Sequence, residues 1–256
     1  MLSPQQYEQW PAPLVELAQK LEEYLIRDIA RRLVKEDFSR FTSTGYQQAA
    51  RLIEWNGMPL EQITEKITAV TGQLEKTIDK LFKETYENAL ETVGYLYDAL
   101  GKPTPDNPLI TQTVQAQATQ TKDTFRNLTG SLGFAIRQNG NLVFTPIANV
   151  YQKTLDYVQM QILSGGVSTN VAIKDAVRQL ANSGLRTVDY ASGIKSNLDV
   201  AVRRATITGL SQVTGFIAEE QARDLNTDLV EVSAHGGARD TGTGFENHKA
   251  WQGKVY

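Results

Sequence analysis

The spacing of apolar residues near the N-terminus constrains the fold most strongly. Between residues 14 and 33, apolar side chains recur every three or four positions. They are Leu14, Leu17, Leu21, Leu25, Ile29 and Leu33. This spacing places them on one face of a helix. We therefore predict a long amphipathic helix over 14–38, whose apolar face must be covered by another element.

The next segments predict further long helices. A helix is expected to follow Thr44 and to end at Asn56-Gly57, a pair typical of helix C-termini. Beyond it, apolar residues continue in near-heptad steps: Ile63, Ile67, Val70, Leu74, Ile78 and Leu81. This series fits either one long helix or two helices joined at Thr71-Gly72. Either arrangement requires a partner helix, and we favour packing within the chain over a coiled coil between chains.

Residues 101–108, GKPTPDNP, contain three prolines and one glycine, which a helix interior does not tolerate. We interpret 103–108 as a linker between a first helical region, 1–102, and a second, 109–227. Asn107 is predicted to cap the following helix and Pro108 to begin it.

The second region is also mainly helical. It contains a predicted β-hairpin at 134–144, where Asn139-Gly140 supplies the turn. Further helices are expected up to Leu163, over 168–180, and from Asn197 to about residue 225. A β-type run then begins at Leu229. The predicted fold class is therefore mainly α, a multi-helix body of long amphipathic helices with a small α+β C-terminal portion and a glycine-rich loop.

The composition excludes several functional classes. The 26 lysines and arginines are balanced by 29 aspartates and glutamates, which argues against a broad basic surface for DNA. The chain has no cysteine, so disulfides and thiolate zinc sites are excluded. Its longest uncharged stretches are too polar to supply the roughly 18 apolar residues of a membrane span. We therefore expect no membrane partner, and the N-terminus does not resemble a secretion signal.

The C-terminal stretch, 228–256, holds both histidines of the chain. A strand-type run leads to a glycine-rich loop and then to a tryptophan-containing segment. We single out these residues: His235, Gly236, Gly237, Ala238, Arg239, His248, Trp251, Gln252, Gly253 and Lys254. The favoured interpretation is structural: the glycine pair permits a sharp turn, both histidines hydrogen-bond the loop closed, and the tryptophan packs over it.

Two chemical alternatives use the same loop. His235 and His248 are possible zinc ligands, and Asp240 or Glu246 could complete the site. The thirteen-residue spacing of the two histidines is unlike that of a compact helical zinc motif. A catalytic use would take one histidine as general base and Arg239 as anion stabiliser, but the sequence singles out no nucleophile. The loop glycines also lack the spacing of a phosphate-binding loop. We therefore predict no catalytic, cofactor-binding or metal-binding residue.

Two basic groups are candidate partner-binding surfaces. Arg27, Arg31 and Lys35 are four residues apart on one helix face and could meet nucleic acid or an acidic partner. Acidic neighbours favour instead a solvated mixed-charge face: Asp28, Glu36 and Asp37. Arg203 and Arg204 are adjacent in a predicted helix and point about 100° apart. We expect one of this pair to bond internally and the other to reach a partner.

Several segments together resemble one known family. The strongest are TVDYASG, LDVAVRRATITGLSQ, DLVEVSAHGGAR and the final group of His248 with WQGK, which occur in this order. Weaker likenesses lie upstream: IRDIARRL, NLTGSLGFA and YQKTLDYVQMQILSGG. With these segments the chain resembles the phage minor capsid protein 2 family. The segment 240–247 is longer than this family usually has, and members often continue beyond WQGK. We therefore interpret 228–256 as a strand-loop motif that could begin a truncated domain.

The resemblance implies a minor capsid protein of a tailed bacteriophage, a structural protein without enzymatic activity. Its implied partners are the portal protein and other capsid proteins, in an assembly with several copies. The implied location is the virion head, at the portal vertex or in the interior, after assembly in the host cytoplasm. Such a protein would assist head assembly, genome packaging or ejection.

Two alternatives remain. The first is an internal head protein that contacts packaged DNA or is ejected with it, using the basic group on the first helix. Its DNA affinity should fall steeply with salt. The second is a metal-dependent enzyme built on the C-terminal histidine loop, which predicts bound zinc in the purified protein.

Overall fold

The structure, a computed structural model, describes residues 9–36, 38, 45–138, 140–188, 193–229, 232 and 238–256. For residues 45–60 and 245 it describes the backbone alone. Within this part of the chain the fold is mainly α-helical with a small antiparallel sheet, which confirms the predicted fold class.

The described residues form six α-helices and four short strands. The helices are α1 (Ala12–Lys35), α2 (Gly45–Ala99), α3 (Pro108–Gly130), α4 (Ile147–Leu163), α5 (Thr169–Ser183) and α6 (Leu198–Asp224). The strands are β1 (Gly133–Gln138), β2 (Asn141–Pro146), β3 (Arg186–Val188) and β4 (Lys195–Asn197). They form one antiparallel sheet in the order β2-β1-β3-β4.

Helix α1 confirms the first apolar series. Leu17 is half-buried, and the other five residues of that series are 0% exposed: Leu14, Leu21, Leu25, Ile29 and Leu33. Removing apolar surface from water stabilises a fold by about 25 cal/mol per Å². The burial of this face therefore holds α1 against the residues that cover it.

Helix α2 is continuous over 55 residues, from Gly45 to Ala99. The predicted helix end at Asn56-Gly57 is therefore wrong, and the second apolar series belongs to one helix rather than two. A glycine inside a helix costs only about 1 kcal/mol relative to alanine. Buried residues on both sides of Gly72 outweigh that cost, since Val70 and Leu74 are 4% and 0% exposed.

The predicted cap and hairpin are both present. Asn107 Oδ1 accepts a hydrogen bond from the Leu109 backbone N–H at 3.0 Å, which satisfies one free donor at the start of α3. Strands β1 and β2 pair from Gly133 with Pro146 to Gln138 with Asn141. At the turn, Gly140 has φ +84°, a conformation that favours glycine. Asn139 lies outside the described residues.

The chain divides into two compact units, each assembled from separate stretches of sequence. The first unit contains the described parts of Ile78–Thr121 and Thr206–Tyr256. In this unit the Tyr97 hydroxyl donates a hydrogen bond to the Asp224 carboxylate. Burial is the larger cause and the Asp224 carboxylate the smaller one, and together they raise the pKa of Tyr97 to about 12. The second unit contains the described parts of Pro13–Thr77 and Lys122–Ala205, including the sheet. The four-part division expected from the sequence stays a prediction.

Candidate functional site

The C-terminal motif is described in part. His235, Gly236 and Gly237 lie outside the described residues, as do four residues of the predicted strand that begins at Leu229. The remaining motif residues lie around two short 3-10 turns, Gly244–Glu246 and His248–Trp251. Leu229 itself is exposed and belongs to no strand.

Backbone hydrogen bonds join the two halves of the motif. The Val232 N–H donates to the Lys254 carbonyl at 3.0 Å, and the Gly253 N–H donates to the Val232 carbonyl at 2.8 Å. The Lys249 N–H donates to the Arg239 carbonyl at 3.0 Å. Gly253 has φ +66°, so a side chain there would be strained. The conformation of this pairing therefore favours glycine at position 253 of the WQGK segment.

Side chains also close the loop between Arg239 and Trp251. Lys249 Nζ lies 2.7 Å from Asp240 Oδ2, and Asn247 Nδ2 donates to Asp240 Oδ1 at 3.3 Å. The hydrogen bonds from Lys249 and Asn247, together with the Lys249 charge, lower the pKa of Asp240. Trp251 Nε1 donates to the Gly244 carbonyl at 3.2 Å. The loop is thus held by polar bonds at the surface rather than by a buried core.

Of the two motif histidines, His248 lies in the part of the chain that the structure describes. His248 is exposed. Among the described residues, no cluster of three or more histidine, cysteine or acidic side chains is placed to hold a metal ion. The roles predicted for His235 stay predictions, because that residue lies outside the described part of the chain.

The basic group on α1 is largely paired with acidic side chains. Arg27 lies 2.5 Å from Glu23, and Arg31 pairs with Asp28. Lys35 is exposed. A surface pocket of about 380 Å³ lies along this face and mixes both signs of charge: Lys20, Glu23, Tyr24, Arg27, Asp28 and Arg31. The local surface therefore presents alternating charges rather than a uniform basic stripe.

Asp28 has a structural position that the sequence did not reveal. It is 5% exposed, and it accepts hydrogen bonds from Arg32 Nε at 2.7 Å and from the Tyr151 hydroxyl at 2.9 Å. The Arg32 guanidinium also lies 5.9 Å from the centre of the Tyr151 ring. Tyr151 is too distant in sequence for helical spacing to associate it with Asp28. The sequence predicted that Asp28 lies on a solvated mixed-charge face, and its burial shows that this prediction was wrong. The available signal was its spacing, three residues after Leu25 and seven after Leu21, which puts it on the apolar face of the helix.

Arg203 and Arg204 differ in exposure within α6. Arg203 is half-buried and Arg204 is exposed, as expected when adjacent helical residues point about 100° apart. Arg204 is therefore the better placed of the two to contact a partner.

The fold and the motif define a predominantly helical protein whose C-terminal segment is, in its described part, a hydrogen-bonded loop. The sequence matches the phage minor capsid protein 2 family over residues 2–256, essentially its whole length. The chain therefore belongs to that family, and it is in the class of structural proteins of the bacteriophage head. Comparisons with curated proteins and with solved structures gave no significant match. None of the helices in the described residues has the length and apolar character needed to cross a membrane.

Proposed function

We propose that this protein binds the portal protein or neighbouring capsid proteins in the phage head and thereby assists head assembly, genome packaging or ejection. The family supplies the virion context. The observation that carries an adhesive role is a group of large apolar side chains at the C-terminal end of α2. Tyr95, Leu96 and Leu100 are 69%, 41% and 52% exposed. Grouped exposed apolar residues are typical of protein interaction surfaces.

The surface chemistry agrees with this role. Interfaces concentrate aromatic and aliphatic anchors at their centre and surround them with polar residues. Tyr95 provides a large ring with a polar hydroxyl, which bonds Glu91 at 3.4 Å, and it is well suited to such a position. The C-terminal loop presents a further exposed surface through His248 and Lys254.

The test is co-purification with the portal protein of the same phage, with the ratio of subunits determined by mass. We expect a stable complex of defined stoichiometry. Replacing Tyr95→Ser together with Leu100→Gln should reduce the recovered portal protein about tenfold, as loss of interface anchors typically does.

The matched control changes two apolar residues on another helix. Met160 and Leu163 of α4 are 57% and 67% exposed, so Met160→Gln with Leu163→Gln removes comparable apolar surface. Retention of the complex in this control would assign the effect to the end of α2. If the unaltered protein migrates free of the portal and of the other capsid proteins, the adhesive role is wrong.

A further inference from the structure

A pocket of about 290 Å³ lies beside the β1–β2 hairpin in the second unit. Strand β1 contributes Arg137, helix α5 contributes Arg178, and strand β3 contributes Arg186. Asp175 is the one acidic side chain that lines it in the described structure. Three arginines against one carboxylate give this pocket a larger excess of positive charge than the surface pocket along α1, where three cations face two carboxylates.

The three arginines differ in how far their charges are already compensated. Arg178 NH1 lies 3.3 Å from Asp175 Oδ1. Arg186 uses its Nε to donate to the Ser183 carbonyl at 3.0 Å, and its terminal nitrogens have no carboxylate partner in the described residues. Arg137 is exposed, and its side chain has no hydrogen bond or ion pair with any described residue. Two guanidinium groups are thus available to an anion.

A buried amide provides a second, independent indication. Gln179 lines the same pocket, and its Nε2 is buried without a hydrogen-bond partner in the described part of the chain. Buried donors are normally satisfied, and an unpaired one is unfavourable. Because this nitrogen is buried, it can donate to an oxygen acceptor in the pocket only after the Gln179 side chain has turned toward the bound group.

The lining favours a carboxylate over a phosphate. A guanidinium group can donate two parallel hydrogen bonds to a carboxylate or to a phosphate, so the choice between these anions depends on the rest of the lining. Ala135 and Leu142 add an apolar wall that suits the methylene groups of an acidic side chain. Asp175 would repel the second negative charge of a phosphate dianion. A recess of this size also suits one side chain better than a DNA duplex, whose phosphates follow an extended surface.

We propose that this pocket binds the carboxylate of an acidic side chain presented by a neighbouring protein. Arg137 and Arg186 bind the carboxylate oxygens, Gln179 donates a further hydrogen bond, and Leu142 contacts the methylene groups. This proposal depends on the proposed function in one respect, which is that the acidic segment belongs to another head protein. The site itself lies within this chain.

The test uses the full chain and a short acetylated and amidated peptide with a central glutamate. Peptide binding is followed by NMR, through the backbone amide of Ala135 and the side-chain amide of Gln179. We expect saturable shifts at both groups, and much weaker shifts with the corresponding glutamine peptide. Arg137→Gln should weaken binding about tenfold, because one charge-assisted hydrogen bond is lost. Lys174→Gln, an exposed change on α5 outside the pocket, should leave the affinity unchanged.

Three results would overturn the proposal. They are equal shifts with the glutamine peptide, stronger shifts with inorganic phosphate or duplex DNA, and the absence of shifts at millimolar peptide. The outcome is separable from the portal test. If the portal complex forms but the peptide does not bind, the proposal for this pocket is wrong and the proposed function is retained. Peptide binding without a portal complex would keep the pocket as a site for some other acidic partner.

Discussion

Asp28 joins α1 to α4 through its hydrogen bond with Tyr151. Its carboxylate is 5% exposed and bonds to Arg31, Arg32 and Tyr151. Burial raises the pKa of this carboxyl, but the hydrogen bonds from its three partners and the charge of Arg32 lower it by more. The pKa therefore lies below the ordinary value of 3.8. A group with a lowered pKa stabilises the folded state above its unfolded pKa and loses that contribution as the pH falls.

We expect Asp28→Asn to lower the free energy of unfolding by about 2 kcal/mol at neutral pH, because charge-assisted bonds to a buried carboxylate are lost. The solvent exposure of Arg31 keeps the effect below that of a fully buried pair. Urea unfolding followed by circular dichroism measures it. The difference between variant and unaltered protein should shrink as the pH falls below about 4, where this carboxyl becomes protonated in the unfolded chain, and should be lost once the pH falls below the lowered pKa of Asp28 in the folded protein.

The matched control is Glu23→Gln, which removes a carboxylate from the exposed pair with Arg27. Such surface pairs contribute about 0–1 kcal/mol, so the control should unfold nearly like the unaltered protein. A difference between the Asp28→Asn variant and the unaltered protein that stays constant down to about pH 2 would mean that the carboxylate charge is not the stabilising feature.

Helix packing in the first unit depends on a glycine of α6. A Cβ added at Gly209 would lie 2.5 Å from Thr121 Oγ1 and 2.9 Å from Phe82 Cζ. Gly215, further along the same helix, has no neighbouring atom within 4 Å of the added Cβ. Substituting alanine at these two positions therefore distinguishes the effect of close packing, at Gly209, from the effect of helix propensity, at Gly215.

Gly209→Ala should lower the free energy of unfolding by about 1–3 kcal/mol, because the added methyl group overpacks the contact between helices. Gly215→Ala should instead raise it by about 0.5–1 kcal/mol, since alanine is the better helix former. Thermal and urea unfolding of both variants provide the measurement. Equal effects of the same sign would show that α6 does not approach α2 and α3 this closely.

The elements themselves were largely predictable from local patterns. The apolar spacing of α1, the Asn107 cap and the Asn139-Gly140 hairpin signal all gave correct elements. Asn56-Gly57 did not end α2, because local stop signals are weak against the apolar face that continues beyond them. The role of Asp28 was also not evident, since its partner Tyr151 is far away in sequence. Local periodicity identifies buried faces but does not identify which distant side chain meets them.

In the whole molecule, the residues that form one compact unit are not consecutive in the sequence. The loop at 101–107 separates helices α2 and α3, yet the second unit contains residues from both sides of it. Glu22, for example, accepts a hydrogen bond from the Leu185 N–H at 2.9 Å. The division predicted from the sequence, which stays a prediction, rests on the prolines, because they mark where a helix must end. Prolines carry no information about which helices pack together afterwards.

The charge distribution of the whole molecule bears on the alternative role of an internal DNA-binding protein. The net charge is −3, and two of the three cations proposed for DNA contact, Arg27 and Arg31, already pair with carboxylates. Lys35 is exposed, and no carboxylate of the described residues is paired with it. Phosphate binding by the first two would have to break existing ion pairs.

We therefore expect weak DNA binding with a shallow salt dependence. Within the basic group on α1, the one cation without a carboxylate partner in the described residues contributes about −1 to the slope of the logarithm of the affinity against the logarithm of the salt concentration. Fluorescence anisotropy of a labelled duplex across a salt series measures this slope. Lys35→Gln should make the slope shallower by about 1, whereas Lys83→Gln, which changes an exposed lysine of α2 that already pairs with Glu87, should leave it unchanged. A slope of about −5 or steeper, with binding retained near physiological salt, would require several phosphate contacts at once and would favour the internal DNA-binding role over adhesion to the portal.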